Sequence, residues 1–232
     1  MSVSVAIQFQ FWENLVMKKF ALLIACAMLC TSLFASCGTK PLGGLNNPMD
    51  DTDDDTKEAV YVPGTTSEDG YVSEYIGLEF VPQGTMVMAT EDELYEAMGL
   101  GAELVGMDKK TYDWATVGNA YEMMATDITT GSNVIVMAEK LALKNITMDQ
   151  YIEALEKQFE SVDEMTVTFD SVKEVTFVGQ TYTRIDVTTE VSGMSINQVM
   201  LLRKIEDRMI GITVTAVMEG DDELLLSCFK AK

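Results

Sequence analysis

Two periods of apolar and polar positions run through this chain, and they separate strands from helices. In Thr183, Ile185, Val187, Thr189 and Val191 every second residue is apolar or β-branched, and Arg184, Asp186 and Glu190 fall between them. A period of two puts the two sets on opposite faces of a strand. Ile210, Ile212, Val214 and Ala216 repeat the pattern. The pairs Gly179-Gln180, Ser192-Gly193 and Glu206-Asp207 punctuate segments 173–178, 182–191, 194–205 and 208–217, which predicts an antiparallel meander. Tyr121 to Ile128 and Val134 to Glu139 predict a hairpin around Thr130-Gly131-Ser132-Asn133. Val134 to Ala138 is apolar without alternation, so that strand should be covered on both faces. Earlier, Tyr75 to Val81 reads as a strand closed by Pro82-Gln83-Gly84, and Met86-Val87-Met88 continues extended.

Helices are announced by their first turns. Thr90-Glu91-Asp92-Glu93 and Thr147-Met148-Asp149-Gln150 both have the form of a capping box. The first predicts a short helix with Leu94, Tyr95, Ala97 and Met98, stopping at Gly99. The second predicts a helix with Tyr151, Ile152, Leu155 and Phe159 on one face. Asp221-Asp222-Glu223 places negative charge at the start of a closing helix, where the dipole favours it, with Lys230 and Lys232 at the opposite end. Strands dominate and a few helices cover them. The fold class is therefore α+β, a mainly antiparallel sheet covered by a few helices.

The N-terminal third has a different pattern. Met17-Lys18-Lys19 is cationic, Phe20 to Phe34 is almost wholly apolar, and Ala35-Ser36-Cys37 closes the run. A signal-peptide core spans roughly 7–15 residues, whereas a membrane-spanning helix needs about 20. The pattern is similar to the lipobox signals of bacterial lipoproteins, with Phe34 where Leu is usual. That resemblance implies a lipid attachment at Cys37, which becomes the mature N-terminus, and an anchored position on the extracytoplasmic face of the bacterial cell membrane. Translation is expected to begin at Met17, because Met1 to Val16 fits no part of such a signal. Gly38 to Asp69 carries Gly43-Gly44, the run Asp50 to Asp55 with Thr52 inside it, and Pro63-Gly64. Few apolar residues leave little to offset the ordering of a chain. It reads as a flexible tether reaching about 30 Å. The aspartates do not form a calcium loop: starting at Asp51, position 6 is Thr56 and position 12 is Val62, where glycine and a bidentate acid are needed. The expected organisation is 1–36 for extension and signal, 37–70 for the acidic tether and 71–232 for one α+β domain.

Charge and composition then narrow the function. The chain has 16 basic and 37 acidic residues, a net charge of −21. It should repel nucleic acid and anionic headgroups. There is no histidine, which excludes Ser-His-Asp and Cys-His catalysis and removes the usual zinc ligand. Cys26 and Cys30 leave with the signal and Cys37 carries lipid, so Cys228 stands alone in an apolar setting and reads as a buried structural thiol. The many methionines read as core packing rather than a thioether metal site. Gly99-Leu100-Gly101 lacks the third glycine of a dinucleotide fingerprint, since Leu104 stands there. No residue stands out as catalytic or metal-binding, and no cofactor is implied. The place to look for binding is the loop Met107 to Thr116, where Tyr112, Asp113 and Trp114 put two aromatics beside acids. The alternative is that Trp114 caps the core.

Tyr75-x-Gly77-Leu78-x-Phe80-x-Pro82-x-Gly84, the segment Tyr121 to Asp127 and the late turn Gly179 to Tyr182 resemble lipoproteins of gut Clostridia whose C-terminal domain is PsbP-like or DcrB-like. The resemblance covers Tyr71 to Lys232 and implies an α/β sandwich and an anchored protein, with no reaction. Thr85 departs from it, since members often carry Trp after the Pro-x-Gly. The leading expectation is a non-enzymatic binding or accessory module, monomeric in its domain and held to the membrane through its N-terminal lipid. The alternatives are a structural or assembly component that docks on an envelope protein partner, and an enzyme using carboxylates or a metal.

Overall fold

A computed structural model of the protein describes residues 61–95, 119–141, 143–160, 165–191 and 193–232. The described chain opens with three short strands, β1 (Thr65–Ser67), β2 (Gly70–Ser73) and β3 (Leu78–Phe80), followed by β4 (Met86–Met88). The hairpin β5 (Asn119–Asp127) and β6 (Asn133–Lys140) comes next, then α1 (Met148–Glu160). The meander is β7 (Met165–Phe177), β8 (Gln180–Val191), β9 (Met194–Ile205) and β10 (Arg208–Ala216), and the chain closes with α2 (Asp221–Ser227) and β11 (Phe229–Ala231).

All pairings are antiparallel and form two sheets. The larger has the order β4-β5-β6-β10-β9-β8-β7, and the smaller β1-β2-β3-β11. β6 is a central strand whose side chains alternate between two cores, Val134, Val136 and Ala138 on one face and Met137 on the other, and all but Lys140 are buried. Each face of the large sheet carries its own core. On one side Ile210, Ile212 and Val214 pack with Tyr71, Leu78 and Phe80 of the small sheet and with Leu225 of α2. On the other, Met209, Met137, Met200 and Leu202 pack with Tyr151, Ile152, Leu155 and Phe159 of α1. The α+β class follows from this arrangement alone: a mainly antiparallel sheet with a small sheet and α2 on one face and α1 on the other.

Both capping boxes form as the sequence predicts. The Thr147 amide donates to Gln150 Oε1 at 3.0 Å and the Gln150 amide to Thr147 Oγ1 at 3.2 Å. At the earlier box the Thr90 amide donates to Glu93 Oε2 at 2.9 Å, and residues 91–95 are helical. The Glu93 carboxyl is held below its usual range by these Thr90 hydrogen bonds. Ala97, Met98 and Gly99 lie outside the described residues.

Four local expectations are corrected. Tyr75 to Gly77 is a turn rather than strand: the Gly77 amide donates to Ser73 O at 2.9 Å, and β3 starts only at Leu78 so that it can fold back on β2. The β7–β8 turn is Val178-Gly179, one residue earlier than predicted, since Phe177 pairs with Gln180. Both turn residues have positive φ, 44° and 78°, which matches the twist that a two-residue hairpin needs. Lys230 does not end a helix: it lies in β11, which pairs with β3. Finally, residues 61–70, which the sequence reads as tether, are part of the fold. β1 pairs with β2 through Thr65, Thr66 and Ser67, and Tyr61 packs against the first core. The strand partner β2 is close in sequence, but Glu122, which Tyr61, Gly64 and Thr66 meet, lies more than fifty positions away, and the spacer-like composition concealed that contact.

Cys228 is fully buried, with its Sγ 3.7 Å from Met86 Sδ and 3.4 Å from Leu224 O. Burial pushes the thiol up from its ordinary value. A thiol reagent is expected to leave Cys228 unmodified in the native protein and to modify it after unfolding in urea. Rapid reaction of the native protein would contradict the packing described here.

Candidate functional site

The residues that the sequence singles out for lipid attachment and binding, Cys37, Tyr112, Asp113 and Trp114, lie outside the described residues. What the structure does assemble is a buried carboxylate between the two sheets. Tyr121 pairs with Met137 and Met123 with Val136, so Glu122 is the extra residue of a β-bulge in β5. A bulge re-aims a side chain that strand alternation would have sent elsewhere. Here it directs Glu122 to the same side as Met123, toward the small sheet.

Three donors meet the carboxylate. Tyr71 Oη and the Gly64 amide donate to Oε2, each at 2.6 Å, and Tyr61 Oη donates to Oε1 at 2.9 Å. Thr66 Oγ1 adds a bond to the Glu122 backbone oxygen at 2.7 Å. Glycine is needed at 64, because a Cβ there would lie 2.3 Å from Tyr71 Cε2 and 2.7 Å from Glu122 Oε2. Arg208 completes the junction: its guanidinium carbon sits 3.6 Å from the Tyr61 ring centre, and Nη1 donates to Ala138 O at 2.7 Å. Burial, and after it the charge of Glu122, pushes both the Tyr61 and Tyr71 phenols well above their ordinary range. They stay protonated as donors and offer no nucleophile. The site fastens the N-terminal segment to the large sheet.

A second buried acid lies on the opposite face. Glu139 of β6 is 2% exposed, and Tyr151 Oη of α1 donates to its Oε2 at 2.5 Å. Burial pushes this carboxyl up to about 7, with the Tyr151 hydrogen bond opposing. Strongly shifted acids mark functional candidates when they converge on a shared space. Glu139 and Glu122 do not converge, since the large sheet stands between them.

Two other polar groups are built into the large sheet. Asp186 accepts from Ser171 Oγ at 2.5 Å and Arg184 Nε at 2.7 Å, and Arg184 reaches Asp222 of α2 at 3.5 Å. Burial alone would raise the Asp186 carboxyl, but these hydrogen bonds and the Arg184 charge outweigh it and hold it below its ordinary range. On the α1 face, Asn133, Thr215 and Gln198 stand in register across β6, β10 and β9. Gln198 Nε2 donates to Thr215 Oγ1 at 3.1 Å. These are neutral groups, able to hydrogen-bond but not to do acid–base work. Among the described residues no group of three or more Cys, Asp or Glu is placed to hold a metal ion. No described helix is long and apolar enough to cross a membrane.

Sequence reasoning missed Glu122. The available signal was a carboxylate interrupting the otherwise apolar run Tyr121-Glu122-Met123-Met124-Ala125. Tyr61 and Gly64 gave no local signal, because their role depends on a residue far along the chain.

No family model and no curated protein matches this chain. Among solved structures it is similar to the solution structure of cyanobacterial PsbP (CyanoP) from Synechocystis sp. PCC 6803. That match has 11% identity and a TM-score of 0.45, over 75% of this chain and 98% of that one. A crystal structure from Bacteroides thetaiotaomicron VPI-5482 matches with 8% identity and a TM-score of 0.38, over 72% of this chain and 49% of that one. These likenesses concern the arrangement of strands and helices, and neither carries an argument about what this chain binds or does.

Proposed function

We propose that this protein is a lipid-anchored module on the extracytoplasmic face of a bacterial membrane, and that it binds or assists a partner without catalysing a reaction. The observation that carries the reading is the ordered succession of Lys18-Lys19, the short apolar run Phe20 to Phe34, Cys37 and an acidic spacer ahead of a folded domain. The domain's chemistry is consistent with it. Glu122 is saturated by three internal donors, and Glu139 is enclosed beneath α1 on the other side of the sheet. The chain also lacks histidine altogether. The resemblance to gut Clostridia lipoproteins implies the same anchored position and no reaction.

Cys37→Ser is expected to abolish the acyl modification and move the protein out of the membrane fraction. Intact-mass spectrometry of the membrane-extracted protein and fractionation together check it. A mutant that still carries the acyl mass would refute the anchor at Cys37.

A further inference from the structure

Four large apolar side chains stand exposed at one end of the large sheet. Ile128 is 69% exposed, Val217 50%, Met218 58% and Leu224 50%. Single exposed apolar residues are ordinary, but a group of them is a recognition surface. Hydrogen bonds tie together the segments that carry them. Ser132, at the end of the turn that carries Ile128, accepts the Val217 amide at 2.9 Å and donates to Asp221 Oδ2. The Met218 amide donates to the same carboxylate oxygen at 3.1 Å. The Asp127 amide bonds Ser132 O at 2.8 Å, which closes the turn itself. The turn, the 217–220 loop and the start of α2 are thus one tied surface.

Its surroundings are mostly acidic. Asp127, Glu219 and Glu223 flank the apolar group, Asp222 is paired with Arg184, and residues 127–133 and 216–227 themselves contain no lysine or arginine. Its position also matters. β10 begins at Arg208, stacked on Tyr61 where the N-terminal segment joins the domain, and ends at Ala216 beside the apolar group. At about 3.3 Å per residue the two ends lie roughly 26 Å apart. The surface therefore lies at the end of β10 opposite the Tyr61 junction.

We infer that Ile128, Val217, Met218 and Leu224 form a docking surface for a cationic amphipathic segment of another envelope protein. Apolar contact supplies the centre, and the acidic surround selects a partner rimmed with lysine or arginine. A second copy of this chain brings like charge to the same place, and an anionic lipid surface is repelled. The inference rests on the anchored, accessory reading above and names its partner class.

The test places a photo-crosslinking phenylalanine derivative at Met218 or, as a control, at Val172 on the edge strand β7, in the intact acylated protein in its own cells. The cross-linked segment is sequenced by mass spectrometry. The expected result is a protein adduct from position 218 and none from 172, with a partner segment that mixes apolar residues with lysine or arginine. In isolated membranes the adduct should fall roughly tenfold as salt rises to about 0.5 M. It should fall as far in Val217→Ser/Leu224→Ser and in Glu219→Lys/Glu223→Lys, all exposed positions whose variants keep the thermal transition. No adduct, an adduct to lipid, an adduct to a second copy, or a salt-insensitive adduct to an acidic segment overturns the inference. The acyl mass measured on the same sample keeps the two readings apart: its loss refutes the anchor, whereas its presence without the expected adduct refutes the docking surface alone.

Discussion

Glu122→Ala is expected to destabilise the domain by about 3–4 kcal/mol, because it strands buried donors that have no other acceptor. The Tyr71 hydroxyl is the critical one, since Tyr71 is 1% exposed and its only described partner for donation is Glu122 Oε2. Tyr61 and the Gly64 amide are half-buried and can recover part of their loss from water. Urea unfolding of the mature chain checks the magnitude. Removing the stranded donor as well, in Tyr71→Phe/Glu122→Ala, should cost clearly less than the sum of the two single changes, since no fully buried hydroxyl is then left unpaired and the half-buried Tyr61 and Gly64 donors can turn to water. Chain truncation probes the same junction. A domain beginning at Gly70 lacks β1, Tyr61 and Gly64, and should lose stability comparably to Glu122→Ala, whereas one beginning at Tyr61 should match the full mature chain. Equal stability of the two truncations would show that the junction contributes nothing.

Glu139 provides a pH-dependent counterpart. Its carboxyl is raised from 4.5 to about 7 in the folded protein. Below pH 4.5 it is protonated in both folded and unfolded chains and contributes no pH dependence. Between about 4.5 and 7 the unfolded chain releases the proton while the folded one keeps it, so stability falls as pH rises, and above about 7 the loss is complete. Glu139→Gln keeps a side chain that can accept from Tyr151 and removes the titration. The variant should match the natural protein near pH 4 and exceed it by about 2–3 kcal/mol near pH 8. Unfolding curves at the two pH values decide the matter, and an equal difference at both would show that Glu139 does not titrate in this range.

The elements that could be read from the sequence were those whose determinants are local. The face of α1 is written in Tyr151, Ile152, Leu155 and Phe159, and its start in Thr147 and Gln150, within one stretch of chain. β6 announced its double burial by lacking alternation between Val134 and Ala138. The meander was legible for the same reason, although its first strand reaches back to Met165, well before the predicted segment. The small sheet was not legible. β1, β2 and β11 are three or four residues each, too short to show a period, and β11 acquires its conformation only by pairing with β3. Glu122 escaped because a bulge breaks the alternation on which the reading depends. The candidate site was thus assembled by contacts between distant residues, while the residues singled out from the sequence, Cys37 and Tyr112 to Trp114, belong to other parts of the chain.

The pairing of β11 with β3 sets a schedule for the chain's birth. Phe229 faces Phe80 about 150 residues away, and such distant pairings form late. A ribosome reading from the N-terminus releases β3 early, yet the strand that covers its open edge is nearly the last thing made. For almost the whole of synthesis the small sheet carries a bare edge, and Leu78 and Phe80 wait for the ring of Phe229. A chain stalled or clipped a few residues short would keep that edge for good, open to strands of its neighbours.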